Sequence, residues 1–587
     1  MRLKRHVALV ESALTHVSSS RPLLCSQCSR RRHASSKADP DKIAILGGGV
    51  SGLASAYYVA KDFPNSKITI FEGKERLGGW IQSKKFDVSG GEVLFEYGPR
   101  TLRPVIGARP TVALVQDLDL AEEVLYTSKD APAATNRYIY YPDRINRLPH
   151  PKDGNMLPAV FKCVQSGLFA GIWGVAAELW RPRRPLNVTD ESVGSFISRR
   201  VDKRIAQNMA SAVLHGIYAG DIWQLSAKTL FPVPWQLEGM YGSVVSGYFN
   251  INANDPRSET LSLFHPTDYE DARAMDVELK VDEKLGKDMS AASTFSFKNG
   301  LQTLMTKLEG RIRGNKQFEI KTGTAIHSLN KITGSEQVEV VSSSSKDTKS
   351  QPLDYTPPTT TTSSQADDPS LNRQPFDLVI STLPAPKLTP TVTVQVVNLY
   401  FPTPNLIPHK GFGYLIPESV PFEQNPERAL GVIFDSDAIQ GQDSVNGTKV
   451  TVMMGGRWWD DWVEYPSEEE GLENARSVLA RHLGIREEPL AWNVSTNYNA
   501  IPQYTVGFED RLKRFAEELG QRFHGRVRVV GNQFNGVGVN DCIRGAWSMA
   551  RGLKNGGWKG RSVGLDRVLD PRPWSVEPVL RSTWSKA

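Results

Sequence analysis

The first sharp feature in the hydrophobic pattern is at residues 43–46, where Ile43, Ala44, Ile45 and Leu46 run without a polar break. Four apolar residues in a row fit a strand covered on both faces, the condition of a parallel sheet. Gly47, Gly49 and Gly52 follow at GxGxxG spacing, and from Val50 the pattern becomes helical. A second strand is predicted over 67–71, ending in Glu72. This order is that of a dinucleotide site. The first glycine permits the tight turn, the second lets a pyrophosphate reach the backbone, and the third lets helix and strand approach closely. The helix start then directs free N–H groups at phosphate, and the Glu72 carboxylate is placed to accept from ribose hydroxyls.

Further along, a strand passes through Asn299-Gly300 into an amphipathic helix over 294–308, and 318–329 reads as one strand. Residues 376–384 form a buried strand. Val392, Val394 and Val396 alternate along 391–400, which predicts a half-buried strand of an antiparallel sheet. A last strand at 526–530 leads to a helix capped by Asn540, with Asp541 in its first turn. Residues 187–260 keep a helical register, with Asn187 and Asp190 as caps before Val193, Phe196 and Ile197. His215 in this stretch reads as a packed histidine, not an acid or base. Residues 342–372 are low-complexity, with almost no apolar content to offset ordering entropy, and are expected to be a disordered loop between strands.

One apolar stretch, 156–180, is followed by Arg181, Arg183 and Arg184. Its longest uncharged piece, 163–177, falls short of the roughly 18–20 residues that span a bilayer. The pattern predicts a helix lying in a membrane interface, with the arginines reaching anionic headgroups. A buried helix is the alternative.

The chain has 587 residues, 40% hydrophobic and 23% charged, enough for two or three domains. Residues 1–38 hold eight basic residues, one acid and many serines, the composition of a mitochondrial transit peptide. That segment carries +7 of a chain total of +6, so the rest is net −1 and no basic nucleic-acid surface is implied. Cys25 and Cys28 lie in the same segment, leaving Cys163 and Cys542; neither a disulfide nor a metal site is expected.

The residues after Glu72 carry a resemblance. Glu75-Arg76-Leu77-Gly78-Gly79-Trp80 resembles the second glycine motif of a flavoprotein superfamily that includes amine oxidases, phytoene desaturases and protoporphyrinogen oxidases. Gly98-Pro99-Arg100, Asn136-Arg137-Tyr138-Ile139-Tyr140, Lys410-Gly411-Phe412-Gly413 and Gly536-Val537-Gly538-Val539-Asn540-Asp541-Cys542 are together similar to the protoporphyrinogen oxidase family, spread over about residues 42–555. Thr101 departs from the family, where glycine or serine often follows the Gly-Pro-Arg.

The resemblance implies non-covalent FAD and an α/β fold: a Rossmann-like FAD-binding domain, an antiparallel-sheet substrate domain and an α-helical membrane-associating domain. The corresponding division is 1–38 transit peptide; 39–105, 261–335 and 511–560 FAD-binding; 106–260 substrate and helical membrane-associating; 342–372 insert; 373–510 substrate sheet; 561–587 tail. Implied cofactor contacts are Gly47, Gly48, Gly49, Val50, Ser51, Gly52, Glu72, Gly73, Arg76, Gly79, Trp80, Gly98, Pro99, Arg100, Thr101, Val537, Val539, Asn540 and Asp541, with Ile326 on the adenine. For substrate, it implies that Arg137 pairs with a tetrapyrrole propionate, a task suited to a guanidinium fork. Phe412 and Leu399 would flank the rings and Arg100 would face the flavin or a substrate carboxylate. Core packing is the alternative for Leu399 and a salt bridge for Arg100. Cys542 is expected to be a small core residue.

The implied activity is oxidation of protoporphyrinogen IX to protoporphyrin IX in three two-electron steps, with O2 as acceptor and hydrogen peroxide released, the penultimate step of haem biosynthesis. No catalytic side chain is implied, because the cofactor does the chemistry. Implied partners are the intermembrane-space surface of the inner mitochondrial membrane, a ferrochelatase and a second copy of the chain, with no nucleic acid. Two rivals share the first glycine motif: an FAD-dependent amine oxidase, and a non-enzymatic protein like the Rab GDP-dissociation inhibitors.

Overall fold

The computed structural model describes residues 39–252, 260–344 and 370–580. The transit peptide expected over 1–38 lies outside the described residues, as does most of the insert.

Strand Lys42–Leu46 is the centre of a five-stranded parallel sheet in the order Phe318–Lys321, Lys67–Phe71, Lys42–Leu46, Leu378–Ser381, Val527–Val529. Ile43 through Leu46 are fully buried, as the unbroken apolar run predicts. Helices Val50–Asp62, Gln302–Arg313 and Val539–Gly556 cover one face. The other face is covered by helix Phe508–Phe523 and a three-stranded antiparallel sheet of Thr324–Lys331, Val338–Ser344 and Asn372–Phe376. The strand expected over 318–329 is therefore two strands in different sheets. Gly323, at φ +56, makes the turn between them.

The second layer is a seven-stranded sheet in the order Ala491–Pro502, Thr391–Phe401, Thr448–Gly455, Ala429–Ile433, Gly413–Leu415, Tyr138–Tyr140, Ile145–Arg147. It is antiparallel except where Tyr138–Tyr140 joins Gly413–Leu415. Strand Thr391–Phe401 is buried on both faces, not on one. Helix Glu468–Leu483 covers the face carrying Val397 and Leu399. The last two strands of this sheet come from the division 106–260, ahead of its helical stretch at 187–260.

Within 187–260, helices Val193–Arg200, Ser211–Tyr218, Pro232–Tyr241 and Val244–Asn252 form as the register predicts. The first is capped by Ser192, whose hydroxyl accepts from Ser195 N–H at 3.1 Å, not by Asn187 or Asp190. Residues 156–180 are not one helix. Helix Leu157–Gln165 stops before Gly167 (φ +79) and Gly171 (φ +86), and only the short turns Gly174–Ala177 and Glu178–Trp180 follow. Part of the stretch nevertheless faces outward: Phe161, Trp173 and Trp180 are 67%, 84% and 79% exposed, while Cys163 and Leu168 are buried with Ile139. Of the arginines expected to reach headgroups, Arg181 turns inward to the Arg199 and Val201 carbonyls, and Arg184 pairs with Glu238 at 2.9 Å over the Trp235 ring. Only Arg183 is left exposed.

The insert is bounded by paired strands, Ser342 standing opposite Asn372, so its edges are ordered inside the limits expected for it. Part of the tail joins the core: Val563 and Leu565 are buried, and Ser575–Pro578 pairs with Leu261–Phe264.

Candidate functional site

The dinucleotide cradle forms where several glycine backbones meet. Gly47 takes φ +100 and donates its N–H to the Phe71 carbonyl at 2.8 Å. A Cβ on Gly52 would stand 1.8 Å from the Gly47 carbonyl oxygen, so the helix can approach the turn only with glycine there. No side chain caps helix Val50–Asp62, which leaves its first-turn N–H groups, at Val50, Ser51 and Gly52, to a ligand. Gly48 N–H donates to Glu72 Oε2 at 2.7 Å and Lys74 N–H to Oε1 at 2.9 Å, which holds the Glu72 carboxylate against this turn, one residue before Gly73.

The second glycine turn lies against the first. Gly78 N–H donates to the Gly48 carbonyl at 2.9 Å, and a Cβ on Gly79 would come within 3.1 Å of Gly49 Cα. Arg76 braces the turn through the Leu77 and Gly79 carbonyls, at 3.2 and 2.6 Å, and burial pushes its pKa down. Trp80 follows, with the Lys74 ammonium 5.0 Å from its ring centroid. Gly98, before Pro99, is pressed against the Trp80 carbonyl, 2.5 Å from where a Cβ would be.

Across the sheet, the loop at 531–538 brings Val537 to helix Val539–Gly556. The N-cap is Gly538, with Asp541 accepting its N–H at 3.3 Å; Asn540 is therefore not the cap but sits inside the first turn and donates to the Arg103 carbonyl at 3.0 Å. Asn540 Oδ1 is buried without a partner among the described residues. Two close glycine turns, an uncapped helix start, a carboxylate at the strand end and an orphaned amide oxygen fit a flavin dinucleotide. Cys542 is buried and its thiol is pushed up to about 11 by burial, against a covalent flavin link. Ile326 is buried with Leu46 and Phe71 in the core under the strand ends.

On the substrate side the structure brings together Arg137 and Phe412, 275 residues apart in sequence, with the guanidinium carbon 5.3 Å from the ring centroid. Arg137 Nη1 donates to the Ala133 carbonyl at 2.7 Å, and no carboxylate among the described residues pairs with it. Burial and then Arg103 lower its pKa, so an incoming carboxylate would relieve both desolvation and repulsion.

For two candidate substrate contacts the structure takes the alternative. Arg100 is buried, and its Nη1 pairs with Asp435 Oδ1 at 2.8 Å, the salt-bridge alternative. Thr101 follows it beside a small cavity shared with Asp435 and Asn398. Leu399 is fully buried in the core beneath helix Glu468–Leu483.

His215 is neutral and sealed. Its Nδ1 bonds the Ile416 carbonyl at 2.8 Å, and burial lowers its pKa to about 4. The same helix, Ser211–Tyr218, packs on strand Gly413–Leu415. Gly216 lies against Leu415, on the strand that follows Phe412, and Val213 and Ile217 are exposed at i, i+4 spacing. That spacing was a visible signal, but an apolar helix stripe reads as core until its exposure is known.

Residues 50–553 match the family described as flavin containing amine oxidoreductase. The protoporphyrinogen oxidase of Schizosaccharomyces pombe is 35% identical over 519 residues, 87% of this chain and 98% of its own. That of Bos taurus is 31% identical over 511 residues, 85% and 96% of the two chains. A solved structure from Exiguobacterium sp. 255-15 superposes with TM-score 0.62 at 21% identity, covering 88% of this chain and 98% of that one, a likeness of fold. FAD is the cofactor for which the two glycine turns are built. The chain belongs to the flavin-containing amine oxidoreductase family and, within it, to the protoporphyrinogen oxidases.

Proposed function

We propose that this protein oxidises protoporphyrinogen IX to protoporphyrin IX, the penultimate step of haem biosynthesis, with O2 as final acceptor. The observation that carries the reading is Arg137, whose spare donors stand over an aromatic ring. Helix Ser211–Tyr218, whose Gly216 rests on Leu415 in the strand after Phe412, presents Val213 and Ile217 outward. A flat, apolar macrocycle bearing propionates matches such walls and such a cation.

FAD held in the cradle would supply hydride acceptance and pass the electrons to O2; oxidising one macrocycle would remove six electrons overall and reduce three O2 to three hydrogen peroxide. Arg137 grips a propionate and so selects which carbon faces the cofactor. The start of helix Val539–Gly556 contributes first-turn N–H groups that favour negative charge. No protein base is required: His215 is sealed and neutral, and imine–enamine tautomerism of the macrocycle redistributes the remaining hydrogens.

The same reading places the protein peripherally on the intermembrane-space face of the inner mitochondrial membrane, as a dimer, handing porphyrin to a ferrochelatase. The exposed apolar side chains of 156–180 support a lipid contact, and no helix among the described residues is long and apolar enough to cross a membrane.

The test is a spectrum and an assay. Protein lacking residues 1–38 is purified in detergent, its visible bands are recorded, and porphyrin fluorescence is followed after adding protoporphyrinogen IX in air. Flavin bands with fluorescence growth above a heat-killed control support the reading. Flavin bands without it retain the cofactor and discard this substrate.

A further inference from the structure

Glu96 ends strand Gly91–Glu96 and is buried. Its Oε2 accepts from the Ser83 hydroxyl at 2.6 Å and its Oε1 from the Leu301 backbone N–H at 2.7 Å. Ser83 and Gln302 exchange two more hydrogen bonds, at 2.9 and 3.0 Å. Gly300 closes the corner: a Cβ there would come 2.4 Å from Ser83 Oγ and 2.9 Å from Glu96 Oε1. One carboxylate thus ties the segment after the second glycine turn to the start of helix Gln302–Arg313. The same strand end holds the loop that follows it, because Tyr97 N–H donates to the Gln82 carbonyl at 2.9 Å and Gly98 rests on Trp80.

Two cations face Glu96, and both are committed elsewhere. Arg100 pairs with Asp435 at 2.8 Å, and Asp435 in turn accepts from Thr451 at 2.6 Å. Lys449 pairs with Asp443 at 2.7 Å and donates to the Leu94 carbonyl at 2.9 Å. Thr451 and Lys449 belong to strand Thr448–Gly455 of the seven-stranded sheet. A buried polar seam therefore runs from the glycine turns through Glu96 and Arg100 into the sheet that carries the substrate residues.

We propose that Glu96 is a positioning residue for the cofactor: through Ser83, Leu301 and Gly98 it fixes the loop at 97–101 against the second glycine turn, and the seam beside it sets that loop's distance from the substrate sheet. The inference rests on FAD occupying the cradle, which the visible spectrum of the purified wild type checks on its own. Glutamine at this position keeps the shape but puts an N–H donor where one of the two accepting oxygens stood, so it cannot accept both hydrogen bonds.

The holoenzyme is diluted, and FAD release is followed by recovery of flavin fluorescence, with the position of the visible flavin band recorded beside it. Glu96→Gln is expected to speed release about tenfold, the equivalent of roughly 1.4 kcal/mol, and to move the band. Ser83→Ala is expected to act in the same direction, a few-fold. Leu399→Ala serves as control: it weakens the core of the seven-stranded sheet and lowers the melting temperature without speeding release. Release at the wild-type rate from Glu96→Gln, or equal acceleration by Leu399→Ala, overturns the inference. If Glu96→Gln does not fold, Ser83→Ala decides by the same readout.

Discussion

The guanidinium of Arg137 stands 5.3 Å from the centre of the Phe412 ring, joining the residue that leads into strand Tyr138–Tyr140, next to the edge strand of the seven-stranded sheet, to a loop fixed between two glycines. The ring supports the cation without using its remaining donors. Arg137→Ala is expected to lower kcat/KM for the porphyrinogen about ten- to a hundredfold, the worth of one charge-assisted bidentate contact, with most of the change in KM. Lysine should recover only part of this, since a point charge cannot hold both carboxylate oxygens. Steady-state fluorescence kinetics of the two variants check it; a loss confined to kcat would argue against a binding role.

Gly52 gives a sharper outcome. A methyl group there would sit 1.8 Å from the Gly47 carbonyl oxygen, a distance no relaxation of a side chain can relieve, because both partners are backbone. Gly52→Ala is expected to yield protein without flavin absorbance, purified at lower yield. Visible flavin absorbance per protein is the measurement. Full occupancy would mean that helix and turn are not held as described.

How far the sequence revealed this can be seen at particular residues. The cradle was legible because its signals are local: Gly47, Gly52 and Glu72 act within one strand, helix and strand. Arg137 and Phe412 were legible only through resemblance, since nothing nearby in sequence sets their meeting. Arg100 was misplaced because its partner, Asp435, lies 335 residues away. Leu399 sits on a strand whose alternation implied one buried face, whereas helix Glu468–Leu483 and the neighbouring layer bury both. The break at Gly167 and Gly171 was open to view, but the apolar residues around them masked it.

Leu399→Ala separates core from contact. Full burial predicts a loss of about 2–5 kcal/mol of stability, read as a lower unfolding midpoint in denaturant. KM for the porphyrinogen should stay within twofold of wild type. A raised KM with unchanged stability would return Leu399 to the substrate wall.

For the exposed stretch, Trp173 and Trp180 are the residues to change. Each offers a large ring to the outside, 84% and 79% exposed. A double Trp173→Ser, Trp180→Ser variant is expected to lose flotation with liposomes containing anionic lipid while keeping its melting temperature, because neither ring is buried in the protein. Salt should matter little, since Arg181 and Arg184 are spent on internal carbonyls and on Glu238. Unchanged flotation would remove this surface from the membrane contact.

The last prediction concerns pH and Glu96. Burial raises its carboxyl from the usual 4.5 to about 7, against the opposing pull of Ser83, Leu301, Arg100 and Lys449. The folded state therefore holds this proton more tightly than the unfolded state does. Glu96's contribution to stability is fully present below about pH 4.5, is lost as the pH rises, and is gone by about pH 7, a span worth about 3 kcal/mol. His215 and His482 work the other way, because burial lowers each to about 4 and the folded state then loses stability as the pH falls from 6.5. The wild-type curve mixes these trends, so the difference between wild type and Glu96→Gln isolates the carboxyl. That difference should fall steadily between pH 4.5 and 7 and be flat above it, measured by denaturant unfolding of the FAD-loaded protein. A difference that is flat across the whole range would mean that Glu96 titrates as an ordinary solvated glutamate and that its site admits more water than its burial allows.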